Sequence, residues 1–189
     1  MEPNVPQEAP PTKVTSGRKP LTPISLSCVA KFPYPPESIA EQILDLEKWS
    51  EFKGYGPLPG IKRAEFEIKT TEIVGTRIRV TNSDGSSHVE EITVWRPNER
   101  IELQFGWFSP PLSRLATHFI ESLEFTTDGS ITIVKRSMHL YPKSIWAAPI
   151  LWMISFPLQR ALSLHLNQFG HIAPLDAAQA TRRPLNREQ

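Results

Sequence analysis

Ser144-Ile-Trp-Ala-Ala-Pro-Ile-Leu-Trp-Met-Ile-Ser-Phe-Pro-Leu-Gln-Arg-Ala-Leu-Ser-Leu-His-Leu-Asn-Gln-Phe169 reads as one long helical segment that is apolar on nearly every face. A helix of this kind must be enclosed by protein or must meet lipid. The chain before it alternates like antiparallel strands, so the expected arrangement is a curved sheet wrapped around the helix, with a pocket between them. Pro149 should fall in the first turn, where a missing donor costs little. Pro157 has no N–H for the carbonyl of Met153, so the helix is expected to bend or divide near Met153–Pro157. Gly170 supplies a left-handed stop. The most apolar stretch, Ile145 to Leu158, is shorter than the roughly 20 residues that span a bilayer. An interfacial role for it stays open.

Working back from the helix, two-residue periodicity marks strands near 61–72, 75–82, 87–96, 100–107, 116–127 and 130–141. Ala64, Phe66 and Ile68 alternate with charged residues, as do Ile101, Leu103 and Phe105 with polar ones. Asp84-Gly85 and Asp128-Gly129 lie between β-rich runs and predict two-residue hairpin turns of the I′ kind. A first strand over 24–32 follows from Ile24, Leu26, Cys28, Ala30 and Phe32. After it, 37–46 has a helical stripe behind a proline-marked start, a short helix presents Trp49 and Phe52 around 48–52, and glycines and prolines stiffen the loop 54–60.

Residues 1–23 hold six prolines and no aromatic residue, a composition that cannot offset chain entropy by burial, and are expected to be a disordered tail. The expected organisation is this tail, one domain over 24–170, and a flexible polar tail over 171–189. At 189 residues one domain can bury about 70% of its unfolded surface. Twenty-one Lys and Arg against twenty Asp and Glu leave a formal charge of +1, without the basic footprint of a nucleic-acid binder. The single cysteine, Cys28, excludes an internal disulfide framework and multi-cysteine zinc motifs. The N-terminus lacks a signal-peptide core, and the expected location is the cytoplasm.

Three local motifs occur in a telling order. Pro-Pro-Glu-Ser-Ile-Ala-Glu-Gln-Ile-Leu-Asp-Leu-Glu-Lys-Trp spans 35–49, Glu-Ile-Thr-Val-Trp-Arg-Pro spans 91–97 ahead of Arg100, and Asp128-Gly129 precedes His165-Leu166-Asn167. Together they resemble the START-like, or SRPBCC, helix-grip superfamily over residues 24–170. The resemblance implies an α+β fold in which a curved seven-stranded antiparallel sheet surrounds a long C-terminal helix, with two short helices after strand one. It also implies a hydrophobic cavity, used across that superfamily to carry lipids, bind hormones or cyclise polyketides.

The candidate site follows from which residues face inward. With Asp128-Gly129 as the turn, Phe119 pairs with Met138, Glu121 with Arg136, Leu123 with Val134 and Phe125 with Thr132 on one face. That face is apolar except for Glu121 and Arg136, which would serve as a polar anchor, an acid/base pair, or a structural ion pair. His118 would oppose His139, but no third metal ligand accompanies them, and no metal is assigned. Cys28 has no evident base and reads as a small apolar wall residue. His165 lies at the edge of the helix stripe and reads as packing.

The expected ligand-binding residues are Cys28, Phe66, Phe105, Phe119, Glu121, Leu123, Arg136, Met138, Trp152 and Phe156. Tyr55, Leu58, Trp107 and Phe108 are expected at the cavity mouth, where the 106–112 loop would act as a lid or a membrane-touching tip. Neither a phosphate loop nor a hydrolase or metalloprotease motif is present, and no cofactor is implied. The expected function is binding, and in extension transport, of a hydrophobic or amphipathic small molecule. A cyclase-, aromatase- or hydrolase-like enzyme working in the same cavity is the alternative. The third reading is a protein that docks on membranes or partners through its apolar helix.

Overall fold

The computed structural model describes residues 21–168. Seven antiparallel strands form one sheet in the order β1-β7-β6-β5-β4-β3-β2. They are β1 (Ile24–Phe32), β2 (Ile61–Ile68), β3 (Arg77–Asn82), β4 (Ser87–Arg96), β5 (Arg100–Gly106), β6 (Ala116–Asp128) and β7 (Ile131–Pro142). Helix α1 (Pro36–Ile43) and a 3₁₀ turn (Lys48–Glu51) follow β1, a single helical turn α2 (Leu112–Leu115) precedes β6, and α3 (Ala147–Gln168) closes the fold. This is the seven-stranded α+β grip that the sequence suggests. The expected tails lie outside the described residues except for 21–23, as does Gly170.

Several boundaries differ from expectation for local reasons. Helix α1 stops at Ile43 rather than residue 46, because the Trp49 indole donates to the Ile43 carbonyl at 2.9 Å and closes the helix end. Strand β2 stops at Ile68 because the Thr70 hydroxyl donates to the Val74 carbonyl and its backbone N–H to the Thr76 hydroxyl, which takes 69–76 out of the ladder. Helix α3 runs unbroken through Pro157 and does not divide there. Pro149 does lie in its first turn.

Both hairpins turn differently from expectation. Asp128 pairs with Ile131, so the two loop residues are Gly129 and Ser130, and Gly129 takes φ +61° at the first central position, where a two-residue hairpin of the II′ kind requires glycine. The register therefore moves by two residues: Leu123 faces Arg136, Glu121 faces Met138 and Phe119 faces Leu140. A shift of two keeps every side chain on its own face of the sheet. His118 consequently opposes Tyr141, with which it stacks at 4.2 Å, while His139 opposes Ile120; the expected histidine pair does not form. At the other hairpin the loop is Ser83-Asp84-Gly85, with Gly85 N–H donating to the Asn82 carbonyl and Gly85 at φ +86°.

Two apolar clusters form the core. One joins β1, α1, the middle of the sheet and Leu166; the other joins Leu26, Phe108, Phe119, Met138 and Leu140 to Leu151 and Leu162 of α3. Helix α3 packs across β1 and β7. The space left between its inner face and β4 to β6 holds the candidate site.

Candidate functional site

Strand β4 sends His88 and Glu90 inward, β6 sends Glu121 and Leu123, and β7 sends Arg136 and Met138. With Leu158, Leu162 and His165 of α3, these residues enclose a cavity of about 130 Å³. Trp49, Phe52, Gln42, Lys48 and Glu51, from α1, the 3₁₀ turn and the residue after it, complete its walls. A second, larger and mainly apolar groove of about 500 Å³ lies toward the N-terminal half of α3, between Leu58, Phe108, Phe119, Ile150, Met153 and Pro157. His88, Phe105, Met138 and Leu158 border both spaces, so the groove leads to the charged floor of the inner cavity.

The floor is a polar network in an apolar setting. Glu121 and Arg136 are both buried, and Arg136 Nε donates to Glu121 Oε1. Arg136 Nη1 lies 3.1 Å from His165 Nδ1. A guanidinium can only donate, so Nδ1 accepts and the His165 proton sits on Nε2. Burial first, and the Arg136 charge second, pull His165 down to about 3, which keeps it neutral. Burial works against the charge on Arg136, and the Glu121 carboxylate more than offsets it.

Glu90, only 4% exposed, lies 3.0 Å from His88 Nε2, and its burial raises its pKa. A hydrogen bond thus ties Glu90 to His88 in the cavity wall. Phe105 stacks on His88 at 5.5 Å and Phe52 meets His165 edge-on at 5.3 Å, which fixes both rings. Gln42 adds a further polar group to the wall. Its Nε2 donates to the Ser38 carbonyl at 3.1 Å, while its buried Oε1 has no hydrogen-bond partner among the described residues.

The architecture is shared with solved structures. A START superfamily protein from Mycobacterium smegmatis superposes with a TM-score of 0.59 at 12% identity, covering 78% of this chain and 97% of its own. TTHA0849 from Thermus thermophilus gives 0.59 at 14% identity, over 85% and 100%. Ara h 8.0201 gives 0.53 at 13% identity, over 77% and 99%. The chain has the START-like, helix-grip fold. No family model and no curated protein matches its sequence. At these identities the likeness establishes the helix-grip architecture, and the chemistry must be argued from the residues.

Of the expected ligand-binding residues, Phe105, Glu121, Leu123, Arg136 and Met138 line the inner cavity, and Phe119 lines the outer groove. Cys28 sits opposite Arg136 in the β1–β7 ladder, with its thiol pushed up by burial; it packs against the core without lining either space. Phe66 lies on β2, under the Lys69 ammonium and away from both spaces.

Trp152 and Phe156 point outward, each 55% exposed, and pack edge to face on each other at 4.7 Å. A helix apolar all round gives no periodic clue to its buried side, and Leu151, Ser155, Leu158 and Leu162 are the residues that turn inward. Among the mouth residues, Leu58 and Phe108 line the groove, while Tyr55 is exposed outside it. Trp107 takes φ +49° and swings to the opposite face of the sheet, where Arg77 covers its ring.

His88, Glu90 and Gln42 escaped the sequence reading. The period-two spacing of His88, Glu90 and Ile92 was the available signal. It is masked because Val89 is also buried, on the other face of β4 beside Arg77 and Trp107.

Proposed function

We propose that this protein binds an amphipathic small molecule, with its polar head on the Glu121–Arg136–His165 floor and its apolar body along the outer groove. The observation that carries the reading is a buried, hydrogen-bonded charge cluster at the end of an apolar channel. Ligand sites typically occupy about 300–1,000 Å³ and combine apolar walls with a few convergent polar groups. The groove alone lies in that range. Native mass spectrometry of protein purified without detergent tests it: a co-purified molecule at one per chain is expected, and it should be depleted in the Glu121→Leu/Arg136→Met double variant. A clean apo mass, together with no uptake of any amphiphilic probe, would refute it.

Two carboxyls and two imidazoles converging on one floor also supply the parts of an acid/base catalyst, so an enzyme acting on a hydrophobic substrate in this cavity is the second reading. Incubating the protein with its co-purified molecule and finding a mass change lost in Glu90→Gln would favour it.

A third feature supports contact with lipid alongside either role. Ile145, Trp146, Ile150, Trp152, Met153 and Phe156 are exposed, and Ile150 and Met153 also edge the groove. No Asp or Glu occurs between Asp128 and Asp176, while Arg114, Lys143 and Arg160 are exposed nearby in sequence. Tryptophans rimmed by cations suit an anionic bilayer surface. Among the described residues no helix is long and apolar enough to cross a membrane. Sedimentation with anionic and with zwitterionic vesicles tests this; equal absence from both pellets would exclude it.

A further inference from the structure

The outer groove and the exposed face of α3 share residues. Ile150 is 46% exposed and Met153 66% exposed, yet both line the groove. Trp152 and Phe156 extend the same apolar patch outward and line no part of the groove. One wall of the groove is therefore also the edge of the patch, and a tail lying in the groove is in reach of whatever the patch touches.

Charge decides what that is and which way the patch faces it. Residues four apart lie over one another on a helix, so the stripe Trp152–Phe156 continues into exposed Arg160. At the other end α2 packs on α3 and carries exposed Arg114, while Lys143, just ahead of α3, donates from Nζ to the Ser113 carbonyl of α2 at 3.1 Å. Cations thus bracket the apolar patch at both ends. Across the groove, in the β3–β4 turn, Asp84 is the one charged residue among those that line it. A negatively charged surface attracts the α3 side and repels the hairpin side, which turns the shared edge at Ile150 and Met153 toward that surface. Aromatic and aliphatic side chains bracketed by Lys and Arg make an anchor that lies in an anionic lipid interface.

A tail that leaves the groove through water exposes all of its apolar surface, and the barrier grows with every methylene. A tail that passes over Ile150 and Met153 into acyl chains stays in apolar surroundings throughout. Resting on the ligand-binding and lipid-contact readings above, we infer that the outer groove is a portal that opens onto an anionic bilayer, and that the ligand moves between bilayer and groove over Ile150 and Met153 without crossing water.

The test is stopped-flow transfer of pyrene-decanol, and in parallel pyrene-decanoate, from the loaded full chain to acceptor vesicles that carry a lipid quencher. Phosphatidylcholine vesicles are compared with vesicles of phosphatidylcholine and phosphatidylserine. The transfer rate should rise in proportion to vesicle concentration, should be at least about tenfold higher to the anionic vesicles, and should fall toward the zwitterionic rate at high salt. Trp152→Ser/Phe156→Ser should slow transfer to anionic vesicles severalfold while leaving probe affinity unchanged, because neither residue lines the groove. A rate independent of vesicle concentration and composition, and equal in the double variant, would mean transit through water; it would overturn the inference and leave ligand binding standing. Self-association of the wild-type chain without vesicles, abolished in the double variant, would give the patch to a second copy and overturn it as well. Failure of both probes to load would remove the inference together with the ligand-binding reading.

Discussion

The two faces of α3 are about equally apolar and have opposite fates. Leu151, Leu162 and Leu166 are buried against the sheet, whereas Trp146, Ile150, Trp152, Met153 and Phe156, at the start and along the first half of the helix, face outward. What separates them is the polar company they keep. The inner face turns toward Arg136 and Glu121, whose charges require enclosure and mutual contact, while the outer face turns toward nothing in the described chain that would bury it. Hydrophobicity alone therefore does not say which side of a helix is core; the pattern of the strands opposite does.

The largest expected effect tests the inner side. Glu121→Gln or Arg136→Met alone strands one buried charge and should cost about 3–5 kcal/mol in denaturant unfolding, whereas Glu121→Leu/Arg136→Met should recover much of that loss. Additive losses below about 0.5 kcal/mol each would mean that the pair is exposed and uncoupled.

Next comes Leu151→Ala on the buried face, expected to cost about 2–5 kcal/mol by the same measurement through lost contacts and a residual cavity. A negligible change would mean that α3 is loosely seated.

His165 sharpens the comparison through pH. Its folded pKa, near 3, lies below the unfolded value of 6.5, so the unfolded chain takes up its proton first. Its contribution is fully present above pH 6.5 and is lost as the pH falls toward 3, at up to about 1.4 kcal/mol per unit. In His165→Gln the acid limb of the stability curve should flatten. Glu90, raised by burial, acts in the opposite sense, stabilising at low pH and less so as the pH rises through its folded value. Comparing His165→Gln with Glu90→Gln separates the two.

The smallest effect belongs to the outer face. Trp152→Ser and Phe156→Ser should change stability by less than about 0.5 kcal/mol yet reduce vesicle sedimentation. A large loss of stability would show that this face packs against something.

The fold was readable because strand alternation survives wherever one sheet face is wetter than the other, as on β7, where Thr132, Val134, Arg136, Met138 and Leu140 are buried on alternate positions. The Glu121–Arg136 contact was legible despite a turn misplaced by one residue, because that moves the pairing register by two, and an even shift cannot change which face a side chain occupies. Glu90 and His88 were hidden because β4 is covered on both sides around Val89. Gln42 was hidden because it sits beside Ile39 and Ile43 on α1, where its apolar neighbours define the stripe. Trp152 and Phe156 were misplaced because α3 has no polar face along its first turns to orient it.

Pro157 adds a mechanical consequence to α3. The helix is continuous, but the carbonyl of Met153 receives no bond from position 157, so one rung of its ladder is missing between the two halves. Ile150, Met153 and Ile154, which wall the groove, ride on the first half; Leu162 and His165, which wall the floor, ride on the second. The first half can lift with one fewer bond to break, widening the channel while the floor keeps its geometry. In hydrogen exchange, amides 151–156 should open sooner than amides 161–166, and Pro157→Ala should bring the two halves to a common rate.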